Sequence, residues 1–129
     1  MSLLHQPGAE EFERLAYEAV QRLPDVFRQY VDNVVFRVED FATEEQLAAV
    51  GLSNRWQLSG LYHGQPWGDR SIWQSGDLPP VITLFRQPLL QEWRARALRL
   101  EDLVEHVIVH EIGHHFGLSD EEMEAIERQ

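Results

Sequence analysis

A chain of 129 residues, 43% hydrophobic and 26% charged, has the make-up of one globular domain, residues 1–129, with enough length to bury its own core. Eleven basic against 22 acidic residues set the formal charge at −11, which argues against nucleic-acid binding, because that needs positive charge to neutralise phosphates. With no cysteine there is neither a disulfide framework nor a thiolate metal site, and the composition fits the cytoplasm.

The start, Met1-Ser2-Leu3-Leu4-His5-Gln6-Pro7, has neither the basic opening nor the apolar run of a signal peptide. No later stretch nears the roughly 18 apolar residues of a membrane span, so no membrane association is expected. Phe12, Leu15, Ala16, Ala19, Val20 and Leu23 follow helical spacing up to Pro24, and a short helical turn through Phe27 and Tyr30 follows. Val34, Phe36 and Val38 alternate with Val35, Arg37 and Glu39, the pattern of a strand buried on one face. Thr43-Glu44-Glu45-Gln46 is a capping box, and Gly51 ends the helix it opens. Leu58 to Tyr62 reads as a short strand.

Residues 64–80 hold Gly64, Pro66, Gly68, Gly76, Pro79 and Pro80 among polar residues, an irregular stretch of the kind that carries function or mobility. Within it, Trp67 and Trp73 read as aromatic anchors, with one wall of a substrate site as the alternative. Val81 to Phe85 is the best strand in the chain, and a helix is expected over Pro88 to Leu98. Arg94, Arg96 and Arg99 form a solvated basic group too small to reverse the acidic balance. Helix, strand, helix, two strands and three helices predict an α+β fold, a small mixed sheet packed against helices.

The chemistry is concentrated in His110-Glu111-Ile112-Gly113-His114-His115-Phe116-Gly117-Leu118-Ser119-Asp120, which spells HExxHxxGxxD. Chance would supply HExxH in such a composition with a frequency of roughly 0.03, and the extended form on the order of 10⁻⁴. Histidines four apart on a helix share a face, with Cβ atoms roughly 5–6 Å apart, so both rings can reach one zinc ion. A glutamate beside the first histidine can take the proton of a water that the metal activates. At about 100° per residue, Leu100, Leu103, Val104, Val107, Ile108 and Ile112 fill one arc. His110 and His114 project into that arc near Leu103 and Val107, while Glu111 falls near Val104. Core-facing histidines need polar partners, either backbone carbonyls or, for this pair with Glu111, a metal.

Catalytic zinc usually takes three protein ligands and keeps one position open. Gly117 ends the helix, and the reversal after it can return Asp120 to the metal as the third ligand. Ser119-Asp120-Glu121-Glu122 is also a capping box for a last helix, in which Asp120 would merely favour the positive helix end. His106, one turn before His110, lies off the ligand arc, and His115 points away from it. Both read as neighbours of the site and not as ligands. His63 and His5 would need a tertiary arrangement to reach the metal.

HExxHxxGxxD resembles the extended zinc motif of metzincin-type peptidases in its aspartate-ending form. With the short acidic chain, Leu61-Tyr62-His63-Gly64 and Ile82-Thr83-Leu84-Phe85-Arg86, the sequence resembles the minimal zincin-fold metallopeptidase family of small bacterial proteins. The resemblance implies a zincin-like domain with His110, His114 and Asp120 on Zn2+ and Glu111 as general base. It also implies a peptide or protein substrate paired to an edge strand, with Val81–Phe85 or Leu58–Tyr62 as candidates. The surface acidity would suit basic peptides. One departure stands out: metzincins carry a methionine turn well downstream, whereas here the only later methionine, Met123, follows Asp120 at once. The expected activity is peptide-bond hydrolysis. The alternatives are a non-catalytic zinc-binding regulatory or peptide-binding module, and a metal that mainly holds the last two helices together.

Overall fold

The computed structural model describes residues 7–28, 31, 33–63 and 79–128. His5, Tyr30, Trp67, Trp73, the side chain of His115 and residues 64–78 lie outside that description. The elements run α1 (Ala9–Arg22), α2 (Asp25–Arg28), β1 (Val35–Glu39), α3 (Glu44–Ala49), β2 (Gly60–His63), β3 (Val81–Phe85), α4 (Arg86–Arg96), α5 (Leu100–His115) and α6 (Asp120–Glu127), with a 3₁₀ turn at Arg55–Gln57. The order matches the pattern read from the sequence, with α2 as the short turn after Pro24.

The sheet is mixed and small, in the order β1-β3-β2. β1 runs parallel to β3, pairing Phe36 with Ile82 and Val38 with Leu84, and β2 runs antiparallel to it, pairing Leu61 with Thr83 and His63 with Val81. β3 is therefore the central strand, which removes Val81–Phe85 as a candidate substrate-pairing edge. Its residues Ile82, Thr83, Leu84 and Phe85 are all buried, as expected for a strand covered on both faces. The other candidate, Leu58–Tyr62, overlaps β2, which with β1 is one of the two edge strands of the described sheet.

One face of the sheet carries the main core. α1 buries Phe12, Leu15, Ala16, Ala19 and Val20, an i, i+3, i+4, i+7, i+8 stripe, against α5 and β1. α5 answers with Leu103, Val104, Ile108, Val109 and Ile112, all fully buried. The opposite face holds a smaller cluster of Ala42, Leu47, Leu58 and Phe85 under α3. That helix opens on the predicted capping box, with Gln46 N–H donating to Thr43 Oγ1 at 3.0 Å and Thr43 N–H donating to Gln46 Oε1 at 2.9 Å. No described helix is long and apolar enough to cross a membrane.

The turn between α5 and α6 sets the site. Gly117 has φ +78°, a left-handed conformation that glycine adopts without a Cβ penalty. Leu118 N–H reaches back to the Gly113 carbonyl at 2.8 Å and Gly117 N–H to that of His114 at 3.2 Å, the paired bonds of a Schellman stop. Ser119 then caps α6: Glu122 N–H donates to its Oγ at 3.1 Å, and Ser119 N–H donates to Glu122 Oε1 at 2.7 Å. Stop and start together fold α6 back along α5. Met123, fully buried, packs against Gly113, where an added Cβ would lie 2.2 Å from the sulfur.

Candidate metal centre

The motif occupies the last turns of α5, and its two functional faces diverge as a 100° step requires. Glu111 faces the sheet, and His110 faces α6. The expected core-facing position of the histidine pair is not what the fold delivers. Ile112 is fully buried and Val107 nearly so, but the histidine His114 is exposed and His110 half-buried. The arc that is core at Leu103 and Val107 opens at His110 onto the cavity beside α6 and at His114 onto solvent, while Ile112 on the neighbouring face stays buried.

Glu111 is the better enclosed of the motif's polar groups. Its Oε1 accepts the backbone N–H of Tyr62 on β2 at 3.2 Å. Phe85 N–H donates to the Ser59 carbonyl, and the register continues through Leu61 with Thr83 and His63 with Val81. In an antiparallel ladder the alternate residue, Tyr62, turns its backbone polar groups away from β3, here toward α5. Burial pushes the Glu111 carboxyl above its ordinary value, opposed by the Tyr62 N–H and by His114. The Tyr62 ring meets Phe116 edge-on, with centroids 6.3 Å apart, at the end of the motif helix.

On the other face, a cavity of about 400 Å³ opens between α5 and α6, lined by His106, His110, Asp120, Glu124, Glu127 and Arg128. His110 and Asp120, both expected at the metal, therefore share one cavity. His114 stands one turn along, its ring centroid 5.8 Å from that of His110. The ring of His106, set aside on its helical projection, lies closer, tilted and with its centroid 4.1 Å from that of His110. Among the described residues, the ligand atoms of His106, His110 and Glu127 gather within 4.8 Å of one another. Glu127 carries no motif, and nothing short of the packing of α6 on α5 brings it to the histidines. His63 is exposed at the end of β2 and lines a different cavity, with Arg37 and Glu45 on the far face of the sheet.

The donors suit a metal ion. Among the described residues, His110 Nε2 is buried without a hydrogen-bond partner. Burial first, then the neighbouring His106, lowers the His110 pKa, with Glu127 opposing. That favours the neutral ring, the form that binds metal. Imidazole nitrogens and carboxylate oxygens without thiolate match the donor set of catalytic zinc.

A comparison with curated proteins finds no match. The family model described as zincin-like metallopeptidase matches residues 31–129, a span that takes in the whole sheet, α3 to α6 and every residue of the motif. The chain thus belongs to the zincin-like metallopeptidase family.

Proposed function

We propose that this protein is a zinc-dependent peptidase in which His110, His114 and Asp120 hold the metal and Glu111 is the general base. The observation that carries the reading is the position of Glu111: next to His110 in the chain, half-buried, and tied to the backbone of the edge strand β2. Family membership implies a metal cofactor, and the partnerless His110 Nε2 with carboxylates across from it is the kind of donor set zinc takes. Bound there, zinc would supply Lewis acidity, lowering the pKa of a water and polarising the scissile carbonyl.

The protein's own groups do the rest. As an edge strand, β2 would offer an extended peptide the outward backbone groups that Glu111 does not occupy, which gives affinity without a deep pocket. Glu111, its proton affinity raised by burial, is suited to accept a proton at its carboxylate and to pass it to the leaving amine. The Tyr62 N–H orients that carboxylate. Glu111→Gln should keep zinc and lose turnover by about 10²–10⁴-fold, the usual worth of a positioned base, while His110→Ala should lose the metal. Peptide cleavage at the wild-type rate by the glutamine variant would sink the mechanism.

A second reading, a non-catalytic module that binds peptide or regulates a partner, is favoured by the same hydrogen bond, since Glu111 already ties α5 to β2. A peptide bound equally by wild type and Glu111→Gln, and cleaved by neither, would establish it.

A further inference from the structure

His106, His110 and His114 repeat at i, i+4 and i+8 along α5, so His110 has a histidine neighbour on each side. The ring of His106 is the nearer, and opposite it α6 presents a carboxylate. Glu127 Oε1 lies 2.9 Å from His106 Nδ1, and Glu127 Oε2 lies 3.4 Å from His110 Nε2. The first contact is a hydrogen bond, and the second leaves Nε2 buried without one. Two ligand atoms on a tetrahedral zinc with bonds of roughly 2.1 Å stand about 3.4 Å apart, so the His110–Glu127 spacing is already that of a metal site.

We propose that His106, His110 and Glu127 form a second metal position, which shares His110 with the proposed centre and competes with it for a single ion. It rests on the proposed centre only in that competition; its own three donors are complete without His114 or Asp120. A neutral imidazole has one free lone pair, so His110 serves one ion at a time. The position lies in the α5–α6 cavity, whereas Glu111 faces β2. With His106 one turn before His110 and His114 one turn after it, an ion held there sits back along α5 from the proposed centre, which makes this a holding position and not a catalytic one. The surroundings favour a divalent cation. Asp120 and Glu124 line the same cavity, and Arg128, its one lining arginine among the described residues, lies 3.8 Å from Glu124, leaving Glu127 to the histidines. α6 is fixed for the purpose by the Schellman turn and the Ser119 cap, so Glu127 is presented without large rearrangement.

The test is cobalt(II) binding by equilibrium dialysis and visible absorption, with paramagnetic broadening of the His106 ring protons as a local readout. Wild type, His114→Ala/Asp120→Ala, His106→Gln/Glu127→Gln and His110→Ala are compared after circular dichroism shows each to be folded. The expected result is one cobalt per chain in the first three and none in His110→Ala, with His106 broadened in His114→Ala/Asp120→Ala. Loss of cobalt from that variant, with binding kept in wild type and in His106→Gln/Glu127→Gln, overturns the second position and leaves the proposed centre standing. Cobalt kept in His114→Ala/Asp120→Ala but lost from His106→Gln/Glu127→Gln supports the position and overturns the ligand set of the proposed centre. Two ions per wild-type chain would overturn the sharing of His110.

Discussion

Glu111 of the motif helix and Tyr62 of the edge strand are joined by a hydrogen bond of 3.2 Å from the Tyr62 backbone N–H to the Glu111 carboxylate. One bond thereby fixes the proposed base, closes a backbone donor of the strand and sets how close β2 lies to α5. It also puts a carboxylate where burial disfavours its charge.

That burial has a pH signature in the metal-free protein. The folded carboxyl is raised above its ordinary value, so the native state holds the proton longer than the unfolded chain does. Stability must then fall as pH rises from the ordinary carboxylate range through the raised folded value. Glutamine at 111 keeps an oxygen for the Tyr62 N–H and never ionises. Metal-free Glu111→Gln and wild type are expected to melt alike at about pH 4, with the variant melting higher at about pH 7.5. Thermal denaturation followed by circular dichroism at the two pH values checks this, and equal melting at the higher pH would contradict it.

The approach of β2 to α5 depends on Gly60. A Cβ there would lie 2.7 Å from Val107 Cγ1 and 3.5 Å from Glu111 Cγ, with little freedom for a branched side chain to yield. Gly60→Ala should push the edge strand outward, destabilise by about 1–3 kcal/mol, as overpacking does, and loosen the Tyr62 hydrogen bond. Amide exchange at Tyr62 should quicken in the variant, and adding Val107→Ala should recover part of the loss, because neighbouring substitutions couple.

Local signals in the sequence foretold these elements better than their neighbours. HExxH, the glycine stop at Gly117 and both capping boxes are written in contiguous residues and appear as expected. Val81–Phe85 was legible as a strand, yet whether a strand is central or at an edge depends on partners distant in sequence. The unbroken apolar run around Thr83 was the available sign of a central position. The helical wheel set His110 and His114 among core residues because a wheel carries no information on where the core ends along the axis. Glu127 had no signature at all, since its meeting with His106 follows from the angle at which α6 packs on α5.

That packing has a steric key in Gly113, which the motif spacing leaves unspecified. An added Cβ would meet Met123 at 2.2 Å from the sulfur and 2.7 Å from Cγ, and Met123 is wholly buried. Gly113→Ala should therefore lower stability by about 1–3 kcal/mol, moving the urea midpoint with little change in slope. It should also weaken zinc binding, because α6 carries Asp120 and Glu127. Met123→Ala in the same chain should restore part of the zinc affinity. An unchanged affinity in Gly113→Ala would separate α6 from the metal.

Zinc itself should stabilise the fold by mass action. The native state gathers His110 with carboxylates of α6, and the unfolded chain does not, so free zinc at about 100 times its dissociation constant should add about 2.7 kcal/mol. The melting temperature should rise with zinc concentration and fall back on adding a chelator. In His110→Ala the rise should vanish, since both the proposed centre and the second position depend on that ring. Glu111→Gln should keep the full rise, because Glu111 bonds to the Tyr62 N–H and is not among the proposed ligands. Differential scanning calorimetry across a zinc series measures all three proteins. A zinc-dependent rise that survived in His110→Ala would place the ion elsewhere on the chain.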